Sequence, residues 1–356
     1  MHPRTLGART RLLILLGGAL FPVFASAHFP PLPQPLFHPT IIEAPDGGPT
    51  EGGGINNSGV VLGSYSAGPF IWSAQMGFVP LRIAGDFVLV LGMNECNQVV
   101  GEMLGHATLW NTPTDVKDLG TLGGLGSTAT AINDRGDVAG YASNGGDNGQ
   151  PFLWTEEAGM RQIFDCGSYG GAARGINNRR EIVGRCNTPG DRAFYWSERT
   201  GRINITVPGL PEVDANGIND RGEVVGVAHS GTAPLKARGF KWTREGGVVL
   251  LRDLGDNFSF ARSNNRAGVI VGEAVDSSGI RNSVLWVTRD FGVQVHPGFG
   301  EGSYVGGGIN DFGMVVDTVS FGPTNRDIRA VLWQPPEAGS RLLAKLGVSR
   351  CLRPKN

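Results

Sequence analysis

Past its first 24 positions the chain has no apolar run long enough to cross a bilayer as a helix, which takes about 20 residues. It also has no useful segment with a helical period. These absences exclude a helical membrane protein and a helical bundle. The formal charge is only −1, the pI is near 6.6, and no basic stripe or run of like charges occurs. Nucleic acid and anionic membrane surfaces are therefore poor partners. The chain lacks a Gly-x-Ser-x-Gly elbow, a His-x-x-x-His pair and an Asp-x-Asp-x-Asp-Gly ladder. Asp147 lies near Asn148, Asp191 stands alone, and His28, His38, His106, His229 and His296 are scattered. Neither a metal site nor a cofactor is expected.

Tryptophan is scarce, and its seven copies are evenly placed: Trp72, Trp110, Trp154, Trp196, Trp242, Trp286 and Trp333. An asparagine precedes each one: Asn56, Asn94, Asn133, Asn177, Asn219, Asn265 and Asn310. Residues 128–164 show the unit most clearly. Two alternating runs flank Asn133-Asp134-Arg135-Gly136, whose Asn and Gly suit a type I turn with a glycine bulge. The apolar run Pro151-Phe152-Leu153-Trp154 follows, then a turn at Glu156-Glu157-Ala158-Gly159 and a fourth run. A Gly seven residues after the Asn recurs as Gly63, Gly101, Gly140, Gly184, Gly226 and Gly272, with Asp317 in the last unit. At the turn glycine, Asn97 is a tolerable substitute in the left-handed region, whereas Arg180 should strain its turn. Seven units of four strands predict an all-β fold, a seven-bladed β-propeller of four-stranded antiparallel blades. The 56 glycines sit at repeat and turn positions, so they do not mark low complexity.

From each Trp to the next Asn the chain takes 22 to 24 residues, but from each Asn to its own Trp it takes 16 to 23. Nearly all the length variation thus falls in the loop between strands two and three, including its long forms at 233–237 and 322–326. In a propeller blade that loop shares a face with the blade-to-blade crossing. Variation on one face either marks a binding surface or reflects a lack of constraint.

Residues 1–27 read as a cleaved signal peptide. Arg4, Arg9 and Arg11 precede an apolar core at 12–24, and Ala25-Ser26-Ala27 fits a cleavage site. Residues 28–48 form a Pro-rich lead-in whose Thr40-Ile41-Ile42 could close the ring in the last blade, beside or instead of 341–346. The repeats occupy 49–348, and 349–356 is a tail. The expected location is therefore secreted or periplasmic, where disulfides persist. Cys166 and Cys186 should end on one face of neighbouring blades and bond. Cys96, in a turn on the opposite face, and Cys351, in the tail, are the less natural pair.

Asp118-Leu119-Gly120-Thr121-Leu122-Gly123-Gly124, then Ala131-Ile132-Asn133-Asp134 and a Val-x-Gly strand, resembles the HAF-repeat family of extracellular bacterial proteins. The family's tripeptide is seen in worn form in His106-Ala107-Thr108-Leu109-Trp110 and Arg192-Ala193-Phe194-Tyr195-Trp196. The resemblance covers about residues 50 to 346. It implies an exported repeat protein and no particular activity.

Four positions before each Trp, at the start of strand three, stand Gly68, His106, Gln150, Arg192, Arg238, Asn282 and Arg329. The last six are candidate ligand-binding residues, three of them arginines suited to carboxylates, sulfates or sugar hydroxyls. They could equally cap the loops of their own blades. The repeated Asn should serve its turn and the Trp the core. The residues before each Asn, such as Thr130-Ala131-Ile132 and Arg174-Gly175-Ile176, suggest a small, neutral channel lining with Asp214 as an exception. The leading reading is a non-catalytic monomer that binds an extracellular or envelope protein or polysaccharide. The alternative is a propeller enzyme acting on polysaccharide, a hydrolase or lyase with its site at the central channel.

Overall fold

The computed structural model describes residues 37–335 apart from 86, 147, 190–191, 233–235, 280, 288–291, 296–303 and 322–326. Residues 1–27, expected to be a signal peptide, segment 341–346, the tail, residues 233–235 of the loop at 233–237 and all of 322–326 lie outside the described residues.

The described strands form seven consecutive four-stranded antiparallel blades. Blade 3 illustrates them: Ser127–Ile132, Val138–Ser143, Gly149–Thr155 and Gly159–Gln162 pair in sequence order. Blades 5 and 6 are linked at their edges by one parallel pairing, Ala237 with Phe258. In the last blade Tyr304–Ile309, Val315–Phe321 and Asp327–Gln334 supply three strands, and His38–Ile42 supplies the fourth. Its register sets Pro39 opposite Trp333 and Ile41 opposite Val331. The lead-in therefore closes the ring and covers an edge that would otherwise be exposed.

Among the described residues the core is divided into seven apolar clusters, one at each junction between neighbouring blades. Stability of this kind sums over blades and nearest-neighbour interfaces. Ile42 of the closing strand joins Val61, Phe70 and Val316 in the cluster between the last blade and the first. Six of the seven Trp are buried and Trp72 is half-buried, which makes them core residues.

The glycine seven residues after the Asn has a steric cause. The innermost strand of each of the first six blades carries a bulge, for example between Ala173 and Gly175 and between Ala215 and Gly217. The bulge presses a carbonyl against strand two. A Cβ on Gly184 would lie 2.0 Å from the Ala172 oxygen, and one on Gly226 would lie 2.0 Å from that of Asp214. In the last blade the register jumps between Tyr304 and Gly308, and Asp317 stands there instead.

Cys166 and Cys186 are disulfide-bonded, with their Cα atoms 5.3 Å apart. Cys96 is also disulfide-bonded, which corrects the expectation that left it the less natural candidate. Its partner lies outside the described residues.

Candidate functional site

Two faces and a channel could carry function. On the face of the strand one-to-two turns, each repeat Asn does two jobs. Its Oδ1 accepts the backbone N–H four residues on, as from Glu181 to Asn177 at 3.0 Å. Its Nδ2 donates to the backbone oxygen of the equivalent Asn in the next blade. This bond recurs from Asn56 to Asn94 (3.3 Å), Asn94 to Asn133 (2.9 Å), Asn133 to Asn177 (3.1 Å) and Asn177 to Asn219 (3.0 Å). It continues from Asn219 to Asn265 (2.9 Å), Asn265 to Asn310 (3.0 Å) and Asn310 back to Asn56 (3.0 Å). The result is a closed collar of seven buried hydrogen bonds. The plain turn role expected of the Asn is only half of its work.

A second ring lies beside the collar. The backbone N–H of the residue after the Asn donates to the side chain at that position in the next blade: Asn57 to Glu95, Glu95 to Asp134, Asp134 to Asn178 and Asn178 to Asp220. Arg266 donates in the same way to Asp311, and Asp311 to Asn57. These side chains surround a cavity of about 250 Å³ at the channel mouth. Burial pushes the Glu95 carboxyl up to about 7; the Asn57 N–H pulls it back, while Asp134 and Asp311 push it further up. Arg180 holds φ +59° in its turn, and its guanidinium grips Asp137 of the neighbouring turn with two contacts of 2.8 Å. The ion pair accompanies the unfavourable backbone and ties two blades together. Among the described residues no group of three or more His, Cys, Asp or Glu is arranged to hold a metal ion.

The opposite face carries the loops between strands two and three together with the crossings. The six candidate residues lie around it, one per blade, and do not converge. His106 Nδ1 contacts Asp118 Oδ2 at 2.8 Å. Burial would raise the Asp118 carboxyl, but the Gly120 N–H and His106 hold it below its ordinary value. Gln150 donates to the Gly167 oxygen and accepts from the Cys166 N–H. Arg192 pairs with Glu212 at 2.7 Å, Arg238 donates to the Leu251 oxygen, Asn282 donates to Asp276, and Arg329 donates to the Gly48 oxygen. Every one of these side chains has a bond that fastens a loop, a crossing or a neighbouring strand.

This loop face also exposes large apolar side chains. Phe87 is 63% exposed, Leu104 68% and Leu125 97%. Val88 pairs with Met103, which sets Phe87 opposite Leu104 at the end of that ladder, and the Ser127 N–H donates to the Gly105 oxygen, which draws in the crossing that bears Leu125. Ile83 and Tyr169 are exposed on the same face, whereas Met76 and Val287 are the exposed large apolar residues at the turn end.

The channel wall departs from the neutral lining expected from sequence. Three residues before the Asn, at the bulge, stand Arg174, Asn216 and Arg262 in blades 4, 5 and 6. Arg174 donates to Asn216 at 2.9 Å, and Asn216 donates to the Ala261 oxygen. Asp214 is contacted by Arg185 at 2.8 Å and Arg174 at 3.3 Å, and Glu273 by Arg281 at 2.8 Å and by Arg262. On the other side, blade 2 offers exposed Leu89 and Leu91, and blade 1 offers Gly53. The signal was present in the sequence as Arg at a fixed offset from the Asn, but the bulge that gives the offset its meaning was not.

No family model matches the chain, and no curated protein matches it. Among solved structures it is similar to an oligogalacturonate lyase in complex with manganese, at 10% identity over 85% of this chain and 94% of that one, with a TM-score of 0.60. It is also similar to the WD40 β-propeller domain of Doa1, at 12% identity over 85% and 98% of the two chains, with a TM-score of 0.53. A third likeness is to the extracellular domain of a one-component system from B. thetaiotaomicron, at 8% identity and a TM-score of 0.49. It covers 83% of this chain but only 39% of that one. At these identities the likeness shows the fold alone, a β-propeller.

Proposed function

We propose that this chain is an exported, non-catalytic β-propeller of the HAF-repeat kind, a monomer that binds an extracellular or envelope ligand, protein or polysaccharide, through its loop face. The observation that carries the reading is the exposed apolar group of Phe87, Leu104 and Leu125 on the face where loop length varies. Exposed large apolar side chains mark interaction surfaces when they cluster. Export is supported by the pattern of residues 1–27 and by cysteines held as disulfides.

The second reading is a polysaccharide-acting enzyme with its site in the channel. In its favour stand the carboxylates of Asp214 and Glu273 near the channel wall and a fold shared with an oligogalacturonate lyase. Against it, each carboxylate is already bracketed by two guanidiniums.

A thermal-shift screen against oligosaccharides and envelope extracts tests the reading, since a ligand at a hundred times its Kd stabilises by about 2.7 kcal/mol. Replacing Phe87, Leu104 and Leu125 together by Ser should abolish the shift. A shift that survives the triple substitution would remove the loop face from consideration.

A further inference from the structure

We propose that the loop-side half of the channel, on the wall built by blades 4, 5 and 6, binds the oxyanions of an acidic oligosaccharide, either uronate carboxylates or sulfate esters. The proposal rests on the loop-face reading and specifies its ligand.

The first ground is charge. Among the described residues Arg174, Arg185, Arg262 and Arg281 share Asp214 and Glu273 as direct carboxylate partners, and Asp317 is a third carboxyl buried behind them. Positive charge remains in excess even with all three acids ionised. The guanidiniums are accessible while the acids are not: the Arg174, Arg262 and Arg281 side chains are 36%, 38% and 44% exposed, against 10% for Asp214 and 2% for Glu273. Burial lowers the Arg174 guanidinium from its ordinary value; Asp214 opposes this and the neighbouring Arg185 adds to it. A guanidinium so placed gains from another anion.

The second ground is the balance of donors and acceptors. A guanidinium offers five N–H groups, and the contacts made here leave several of them free. Both accessible-side carboxylates are already occupied by arginines. A ligand at this wall must therefore bring acceptors. An acid sugar brings them in its carboxylates or sulfates, and its hydroxyls accept as well as donate, whereas the backbone N–H groups of a peptide can only donate. The third ground is the facing wall. Leu89 and Leu91 are 37% and 41% exposed on the innermost strand of blade 2, a surface suited to the C–H face of a pyranose.

The test is calorimetric titration of the full chain with an alginate tetrasaccharide, a sulfated tetrasaccharide, maltotetraose and tetraglutamate. Each is repeated with Arg174→Gln/Arg262→Gln, with the more exposed Arg281→Gln as a milder variant, and with Arg161→Gln on the outer strand of blade 3 as a control. Melting curves confirm that each variant is folded. One of the anionic sugars should bind, more weakly as salt is added, and affinity should fall at least tenfold in the double variant, several-fold in Arg281→Gln and not at all in Arg161→Gln. Whether alginate or the sulfated sugar binds distinguishes carboxylate from sulfate. Equal binding of maltotetraose that ignores the arginine substitutions would overturn this inference and leave the loop-face reading standing. Tighter binding of tetraglutamate would overturn it in favour of an acidic peptide, and binding of none of the four would overturn it outright. Failure of the loop-face reading is separate: it would show as undiminished binding after the Phe87, Leu104 and Leu125 substitutions.

Discussion

The two faces of this ring are built from the same seven repeats and have opposite characters. On the turn face every unit spends its polar groups on its neighbour. The Asn amides close a collar of seven bonds, and a second set of backbone N–H groups reaches the next blade's side chains. On the loop face the units differ in length and in residue, hydrogen bonds stay mainly within a blade or reach the next crossing, and apolar side chains face water. A repeat array needs uniform interfaces between units to be stable, and it needs departures from uniformity to recognise anything in particular. In the function proposed, the two demands are met at opposite ends of the same strands.

The largest loss of stability is expected at the strand-two glycines, which lie between the two faces. Gly184→Ala would drive a Cβ into the Ala172 carbonyl, and a loss of about 3 kcal/mol is expected for such overpacking. Urea unfolding measures it, and a loss under about 1 kcal/mol, the low end for overpacking, would mean that the bulge relaxes freely.

Next in size is the collar. Asn177→Ala leaves the Asn219 oxygen with the Gly222 N–H alone and the Arg179 and Glu181 N–H groups without the Asn177 side-chain acceptor. The expected cost is about 2 kcal/mol, with ligand binding unchanged once the protein is folded. Loss of binding by a folded Asn177→Ala would blur the division between the faces.

A smaller effect should appear with pH. The Glu95 carboxyl sits at about 7 against an ordinary 4.5, so the folded state holds its proton more tightly than the unfolded state does. Its contribution is full below about pH 4.5 and is lost as pH rises through 7. Glu95→Gln keeps an acceptor for the Asn57 N–H and removes that loss. The variant should match the native protein near pH 4.5 and exceed it by about 1 kcal/mol at about pH 8, a figure reduced from the full shift because the carboxyl is partly solvated. Parallel slopes for the two proteins would contradict this assignment.

The smallest stability effect belongs to the loop face. Replacing Phe87, Leu104 and Leu125 by Ser should leave the melting midpoint within the change that about 0.5 kcal/mol produces, as for surface sites generally. A marked loss would mean that these side chains pack rather than bind.

The sequence made some of this legible and not the rest, for physical reasons. Regular spacing of Asn, Gly and Trp identifies the blades because each must repeat the same turn, close approach and core contact. The same face assignment that puts the loops and crossings together brings Cys166 to Cys186. The second bond of each Asn was hidden, since its acceptor lies 38 to 46 residues away or, for Asn310, across the ring closure. Arg174 and Arg262 were passed over because the bulge resets which residues of the innermost strand face the channel, and a bulge has no local signature beyond the glycine opposite it. The choice of His38–Ile42 as the closing strand rests on pairing with Asp327–Gln334, which no local pattern specifies.

The division of labour is tested most directly by hydrogen–deuterium exchange of the folded chain with and without the ligand that gives the largest thermal shift. Protection is predicted in the crossings and loops around Phe87, Leu104 and Leu125 and along the innermost strands of blades 4 to 6, with the seven turns unchanged. Protection confined to the turns at Asn56, Asn94, Asn133 and their equivalents would contradict the account.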